Sequence, residues 1–407
     1  MVEGKQIVLG VTGGIAAYKV VELVRQLRTR GAKVDVVMTK NAQQFVTPLT
    51  FQAISGHAVF TDLFSPPQPE IAHIALADRA DLLIIAPATA NIIAKIASGC
   101  ADDLLTTTVL ATKAPVLIAP AMNAKMWESP VVTRNVRILK DLGFGIIEPA
   151  KGELACGYEG KGRLAEIEDI VEEALTILTK KDLQGERILI TAGPTHEPID
   201  PVRILTNRSS GKMGYALAKA SHRRGAEVML ISGPTTLKPI PHINTVPVET
   251  SLEMKKAVLN HYKSCSIAIK AAAVADYRPI KSHRDKMKKR HKTFTLELER
   301  NPDILYQLGK NKGNRILVGF AAETKNIISQ AKTKLDKKNL DLIVVNHARQ
   351  KKGGFGSDRN EVTLIDYEGR IDTLPLMDKE ELANKILDKI KQLKTKNTSA
   401  REPKKRG

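Results

Sequence analysis

Cysteine is scarce in this chain of 407 residues: Cys100, Cys156 and Cys265 lie far apart with no C-x-x-C spacing, which argues against a zinc site and against a disulfide framework. No run of eighteen or more apolar residues exists either. The richest window, 82–97, is interrupted by Pro87, Thr89, Asn91 and Lys95, so a membrane span is not expected. Glu3 and Lys5 lead straight into a strand-like segment, without a signal-peptide pattern, and a cytoplasmic protein with no membrane partner is the expectation. Aromatic residues are 4% of the chain, which leaves little to stack on bases, and no recognised nucleic-acid module is present. The formal charge of +19 therefore needs another explanation. Much of the excess lies in the basic run 281–292 and the tail 391–406, read as a phosphate-handling flap and a solvated tail, with no nucleic-acid partner.

What is present is ordinary in bulk, 43% hydrophobic and 26% charged, enough for two or three domains with full-sized cores. Two stretches read alike. GKQIVLGVTGGIAAYKVVELVRQLRTRGAKVDVVMT (4–39) and GERILITAGPTHEPID, resuming as GKMGYALAKASHRRGAEVMLISG (185–233), each run from an apolar strand through a Gly-rich turn into an amphipathic helix, an RGA hinge and a second strand. A βαβ unit used twice implies two nucleotide-binding layers, each with backbone N–H groups and a positive helix end above the first turn. Neither copy is a dinucleotide fingerprint: both lack G-x-G-x-x-G and the acidic residue that ends the second strand. Nor is Ser209-Ser210-Gly211-Lys212 a P-loop, since Thr206 replaces the upstream glycine and Met213 the magnesium-binding hydroxyl.

Strand-like segments recur at 7–11, 34–38, 82–86, 116–119 and 145–147, and again at 187–191, 227–231, 267–271, 317–320 and 342–345, with helical patterns between them. That alternation predicts an α/β fold of two doubly wound parallel sheets, the second ending in a hairpin around 367–370. The pattern 167–179 closes the first domain, and 180–185 reads as a polar connector. The expected domains are 1–183 and 184–392, followed by a disordered basic tail, 393–407.

In a doubly wound sheet the strand C-termini share one edge. Ala86-Pro-Ala-Thr-Ala-Asn91 and Pro120-Ala-Met-Asn123 therefore converge over the Gly13-Gly14 turn, with His73 opening the helix before the first of them. GVTGGIAAYK, HIALADRADLLIIAPATANIIAKIASGCADDLL, PAMNAKMW and ACGYEGKGR, in this order, closely resemble the flavin-dependent decarboxylases that act on phosphopantothenoylcysteine. TAGPTHEPIDPVRILTNRSSGKMG, KAAAVADYRP, DKMKK, NPDIL, VGFAAET, KKNLDLIVVN and GGFGSD resemble the phosphopantothenate–cysteine ligase that bacteria fuse behind that decarboxylase. Together the two resemblances cover roughly residues 4–390.

The first resemblance implies a flavodoxin-like or Rossmann-like flavoprotein fold. It implies that Gly13, Gly14, Ile15, Ala16, Thr39, Phe45, Ala88, Thr89, Ala90 and Asn91 hold FMN. His73 would position the substrate carboxylate or assist thiol deprotonation, Asn123 would bind the carboxylate being lost, Cys156 would donate a proton in the reductive half, and Arg163 would take the substrate phosphate. Standing alone, each has a plainer reading: a tight turn for the glycines, a structural histidine, an N-cap for Asn123, a surface loop for Cys156 and Arg163.

The second resemblance implies a Rossmann-like ligase that activates 4'-phosphopantothenate with CTP, through an acyl-cytidylate, before L-cysteine displaces CMP. Asn207 would stabilise the acyl-cytidylate. Lys286, Lys334 and Lys338 would contact the nucleotide, and Asp276, Pro302, Asp303, Ile304, Leu305 and Phe320 would form the cytidine and metal side, with Asp276 toward Mg2+. By helical spacing, Lys332, Lys334, Lys337 and Lys338 could equally be a solvated face, and the register of Lys286 within 281–292 could slip by a residue. The implied activity is two consecutive steps of coenzyme A biosynthesis, ligation then decarboxylation to 4'-phosphopantetheine. The resemblance also implies a homo-oligomer of trimeric decarboxylase and dimeric ligase parts, a dodecamer when combined. The alternatives are a flavin-binding regulatory protein and a fusion with one active half.

Overall fold

The computed structural model describes residues 2–64, 71–153, 159–288, 293–323, 327–347 and 356–399. Cys156 lies outside them, as do residues 289–292 of the basic run and 400–407 of the tail. The chain forms two compact units, Met1–Thr179 and Lys180–Gly407, dividing slightly before the 183/184 boundary expected from sequence.

The first unit runs β1 (Gln6–Val11), α1 (Ala17–Thr29), β2 (Lys33–Met38), α2 (Pro48–Ser55), α3 (Ala72–Arg79), β3 (Leu82–Ala88), α4 (Ala90–Ala97), α5 (Leu104–Ala111), β4 (Val116–Pro120), α6 (Ala124–Trp127), α7 (Pro130–Asp141), β5 (Gly145–Ile146), β6 (Ala150–Glu153), β7 (Glu159–Arg163) and α8 (Ile167–Leu178). Five parallel strands order as β2-β1-β3-β4-β5, with β6 and β7 a separate antiparallel pair. Continuous apolar runs suit strands buried on both faces. Ile7, Leu9 and Val11 enter the core beneath α1 and α8, while Val8, Leu83 and Ile85 enter the core beneath α3, α4, α5 and α7. Helix α1 buries Ala17, Val20, Leu23, Val24 and Leu27, an i, i+3, i+4 stripe. Each of its larger side chains contributes roughly 1.5–3 kcal/mol by leaving water, so a charge at Leu23 would unseat it.

The second unit runs β8 (Arg187–Ala192), β9 (His196–Pro198), β10 (Ile204–Thr206), α9 (Lys212–Arg223), β11 (Glu227–Ser232), β12 (Asn244–Pro247), α10 (Ser251–Tyr262), β13 (Ile267–Lys270), β14 (Tyr277–Pro279), β15 (Leu298–Arg300), α11 (Ile304–Lys310), β16 (Ile316–Glu323), α12 (Ile327–Lys337), β17 (Leu342–His347), β18 (Arg359–Asp366), β19 (Ile371–Asp378) and α13 (Lys379–Ser399). Its eight-stranded sheet orders as β12-β11-β8-β13-β16-β17-β18-β19. The six strands from β12 to β17 are parallel and the last two antiparallel. The hairpin around 367–370 is thus the β18–β19 turn. Helices α9 and α13 cover one face, and α10, α11 and α12 the other.

Two sequence expectations are corrected. The segment 180–185 is no free connector: Leu183 is buried in the second core, and Asp182 forms a bidentate pair with Arg224, both hydrogen bonds 2.8 Å. Lys181 Nζ and the Leu183 N–H also donate to the Arg223 and Arg224 carbonyls, so an otherwise polar stretch is docked along its length. The tail expected to be disordered from 393 is helical as far as Ser399. Leu393 is buried in the second core, and Lys394 and Lys396 pair with Glu186 and Glu368, so lysines that read as solvated are anchored by carboxylates distant in sequence.

Candidate functional site

The order of the first sheet reverses between β1 and β3, and a crevice opens outside the strand C-termini at such a switch point. A cleft of about 1200 Å³ lies there. Gly13, Gly14, Ile15, Ala16, Thr39, Thr89, Ala90, Asn91, Asn123 and Arg163 all line it. Ala88 is buried at the end of β3, and Phe45 and His73 are not among the lining residues. The β1–α1 turn is shaped by close approach: a Cβ on Gly13 would lie 2.4 Å from Asn41 Cβ, so only glycine fits. Gly14 N–H donates to Thr12 O at 2.9 Å, whereas no protein acceptor among the described residues takes the Gly13, Ile15 or Ala16 N–H. Free amides before a thirteen-residue helix suit an anion such as the phosphate of a flavin mononucleotide. Thr12 Oγ1 donates to Pro87 O at 2.5 Å and accepts the Thr89 N–H at 3.2 Å, stitching the ends of β1 and β3 so that the turn and the 88–91 loop form one wall.

Asn123 N-caps α6, accepting the Lys125 N–H at 2.9 Å, and it faces the cleft. Arg163, at the end of β7, enters over Gly152 of β6, where a Cβ would lie 2.7 Å from its guanidinium. The segment bearing Cys156 joins these two strands. His73 stands in the first turn of α3, half-buried, and its Nδ1 is buried without a hydrogen-bond partner among the described residues. Lys40, Asn41, Lys95 and Asp103 also line the cleft. Sequence reasoning missed them, although Lys40 and Asn41 directly follow the end of β2, a position that could have flagged them.

The second sheet reverses between β8 and β13, and part of the ligase-like set, Asn207, Asp276, Asp303 and Lys338, lies around the end of β13. Asn207, after β10, donates through Nδ2 to Val274 O at 3.0 Å and Ala273 O at 3.4 Å. Asn301 N–H donates to Asp276 O at 2.8 Å, and its side-chain amide to Ala275 O at 2.9 Å, tying the 273–276 loop to Pro302 and Asp303. Asn301 is a positioning residue that the sequence did not single out. Asp303 N-caps α11 through the Tyr306 N–H and pairs with Lys338 Nζ at 2.9 Å. Burial works against its ionisation, but Lys338 and the Tyr306 amide overcome this and hold the carboxyl below its ordinary range. Lys334 and Lys338 are half-buried while Lys332 and Lys337 are exposed, which separates four lysines that helical spacing leaves equivalent. The side chains of Ile304 and Leu305 belong to the core, and Phe320 packs on the opposite core.

Lys286 is exposed, in a segment fixed by its neighbours. The carboxylate of Asp200, buried in the β9–β10 turn, accepts the Met287 N–H at 3.2 Å, and His283 N–H donates to Ile199 O at 2.9 Å. Among the described residues no group of three or more His, Cys, Asp or Glu side chains could hold a metal ion. Asp276 is exposed and in no ion pair among them. A single carboxylate suits magnesium that arrives on phosphates and keeps most of its waters. No helix among the described residues is long and apolar enough to cross a membrane.

Comparison with known proteins matches residues 1–179 to the Flavoprotein family and residues 183–393 to the DNA/pantothenate metabolism flavoprotein C-terminal domain. The Coenzyme A biosynthesis bifunctional protein CoaBC of Bacillus subtilis (strain 168) is 50% identical over 406 residues, 98% of this chain and 100% of that protein. Among solved structures, the C-terminal domain of a CoaBC protein is 47% identical and covers 53% of this chain and 98% of its own, with a TM-score of 0.46. The FMN-dependent cysteine decarboxylase SpaF is 38% identical and covers 44% and 97%, with a TM-score of 0.39. Identity of this degree along the whole length of a curated relative, with a family model matched to each unit, means that the chain belongs to the coenzyme A biosynthesis bifunctional protein family.

Proposed function

We propose that the second unit condenses 4'-phosphopantothenate with L-cysteine at the expense of CTP, and that the first unit decarboxylates the product to 4'-phosphopantetheine with FMN. One observation carries this reading: the family match spans both units.

In the first unit, the Gly13, Ile15 and Ala16 amides bind the flavin phosphate and the 88–91 loop borders the ring. Bound flavin supplies the electron acceptor that a plain amino-acid carboxylate lacks. Asn123 orients the departing carboxylate, Arg163 takes the substrate phosphate, and the Cys156 thiol gives up a proton, a role open to thiols because they are weak acids. His73 is not among the residues that line the cleft, and its Nδ1, without a hydrogen-bond partner among the described residues, supports a site completed by a neighbouring copy within a trimer. In the second unit, Lys286, Lys334 and Lys338 oppose the charge that accumulates as carboxylate oxygen meets the α-phosphate, with magnesium at Asp276. Asn207 holds the acyl-cytidylate while cysteine attacks. The ligase units pair as dimers, and trimers joined through dimers close into a larger particle.

The test is turnover by the purified chain given 4'-phosphopantothenate, L-cysteine, CTP and magnesium, following pyrophosphate, CO2 and 4'-phosphopantetheine. All three are expected. Pyrophosphate without CO2, or CO2 only from supplied phosphopantothenoylcysteine, would reduce the chain to one active half; a yellow protein that makes neither would be a flavin binder alone.

A further inference from the structure

Lys270 ends β13 where the second sheet reverses. Its register partners are Thr191 on β8 and Gly319 on β16, so it borders the crevice itself. Alternation along the strand sets its side. Ile267 and Ile269 enter the core shared with α9 and α13, Ala268 enters the core shared with α10, α11 and α12, and Lys270 falls on the face of Ala268. The charged groups around it are Lys338 after α12, Asp303 at the start of α11 and Asp276 in the loop after β13. From β8 and β16 its register neighbours, Thr191 and Gly319, bring no charge.

Asp303 is already paired with Lys338 at 2.9 Å, and no carboxylate among the described residues lies within ion-pair distance of Lys270. An ammonium held at the end of a central strand, beside a second ammonium and without its own counter-ion, is a site for an incoming anion. Burial pushes the Lys270 pKa down to about 8; Lys338 adds to the fall, and Asp303 and Asp276 oppose it.

We propose that Lys270 is a further binding residue of the ligase site, whose ammonium takes phosphate oxygens of the nucleoside triphosphate. The inference rests on the ligase reading above. It adds a linkage: an anion beside Lys270 favours its charged form, so binding near pH 8 draws a proton from solution.

Calorimetric titration of the full chain with CTP and magnesium at pH 8, in buffers of different ionisation enthalpy, tests this. Wild type is expected to take up about half a proton per nucleotide at pH 8, and close to none by about pH 6, where a group of this pKa is already protonated. Lys270→Met keeps length and packing but is expected to bind CTP roughly ten- to a hundredfold more weakly, without the uptake. Lys270→Arg keeps binding within a few-fold and also loses the uptake, because a guanidinium never gives up its proton. Unaltered affinity in Lys270→Met, or proton uptake that persists in either variant, overturns the inference while leaving the ligase reading intact. Failure of wild type to bind CTP at all overturns both.

Discussion

A buried imidazole nitrogen without a partner costs about 1–3 kcal/mol, and among the described residues His73 Nδ1 has none. On the proposed reading, substrate or a second copy supplies the partner. Replacing His73 with Asn is therefore expected to lower decarboxylation at least ~10²-fold while leaving ligation unchanged, with CO2 release and pyrophosphate release measured on the same preparation. Equal loss of both would point to misfolding and remove the assignment. Asn207 offers the complementary case. Its Nδ2 is held by the Val274 and Ala273 carbonyls, so Asn207→Asp replaces a donor with an anion facing two acceptors and, on the proposed reading, the phosphoryl group. Ligation is expected to fall by more than about tenfold, with decarboxylation of supplied phosphopantothenoylcysteine unchanged; normal pyrophosphate and amide formation would take Asn207 out of the site.

At the scale of elements, one tether docks 180–185. The Arg224 hydrogen bonds hold the Asp182 carboxyl down to about 2, against the opposing effect of burial and with help from Lys391. A depressed carboxylate contributes fully above its ordinary range and loses that contribution as pH falls through about 2. Asp182→Asn is thus expected to destabilise the second unit by about 1–2 kcal/mol at pH 7, a figure reduced for solvent screening, with the difference from wild type shrinking as denaturant melts are carried toward pH 2. A pH-independent difference would mean that the side chain acts through packing. The long elements were legible from sequence because apolar runs such as LLIIAPA and the stripe of α1 carry their period in the residues themselves. The short ones were not: HEP, ILT, YRP and LER are too brief for any period and become strands only by pairing with each other, β9 with β10 and β14 with β15. The same limit explains the site. Residues at strand ends could be placed on one edge by topology, whereas Asn301 and Lys270 gain their roles from neighbours remote in sequence, and a lysine after Ile269 reads as an ordinary solvated strand end.

At the scale of the molecule, two units with separate switch points predict two separable catalysts. Cleavage between Thr179 and Lys180, ahead of the docked Asp182 and Leu183, is expected to give a yellow N-terminal fragment that is trimeric or larger and a colourless C-terminal dimer that still joins cysteine to phosphopantothenate. A monomeric N-terminal fragment with full FMN affinity, seen by light scattering and flavin titration, would show that the pocket needs no neighbour. The closing helix carries a different consequence, for the order of synthesis. Leu382, Ala383, Ile386, Leu387, Ile390 and Leu393 of α13 share one core with Ile188 and Ile190 of β8 and with the buried face of α9. On a ribosome the first unit has every residue of its sheet and both helical layers once residue 179 has emerged, and domains made first fold first. The second unit has the turn after β8 early but exposes the α9 face of its sheet until residue 393 is made. A nascent chain stalled between these points is a finished flavoprotein trailing an open apolar sheet, so premature termination late in the message yields aggregation-prone chains and no free-standing ligase.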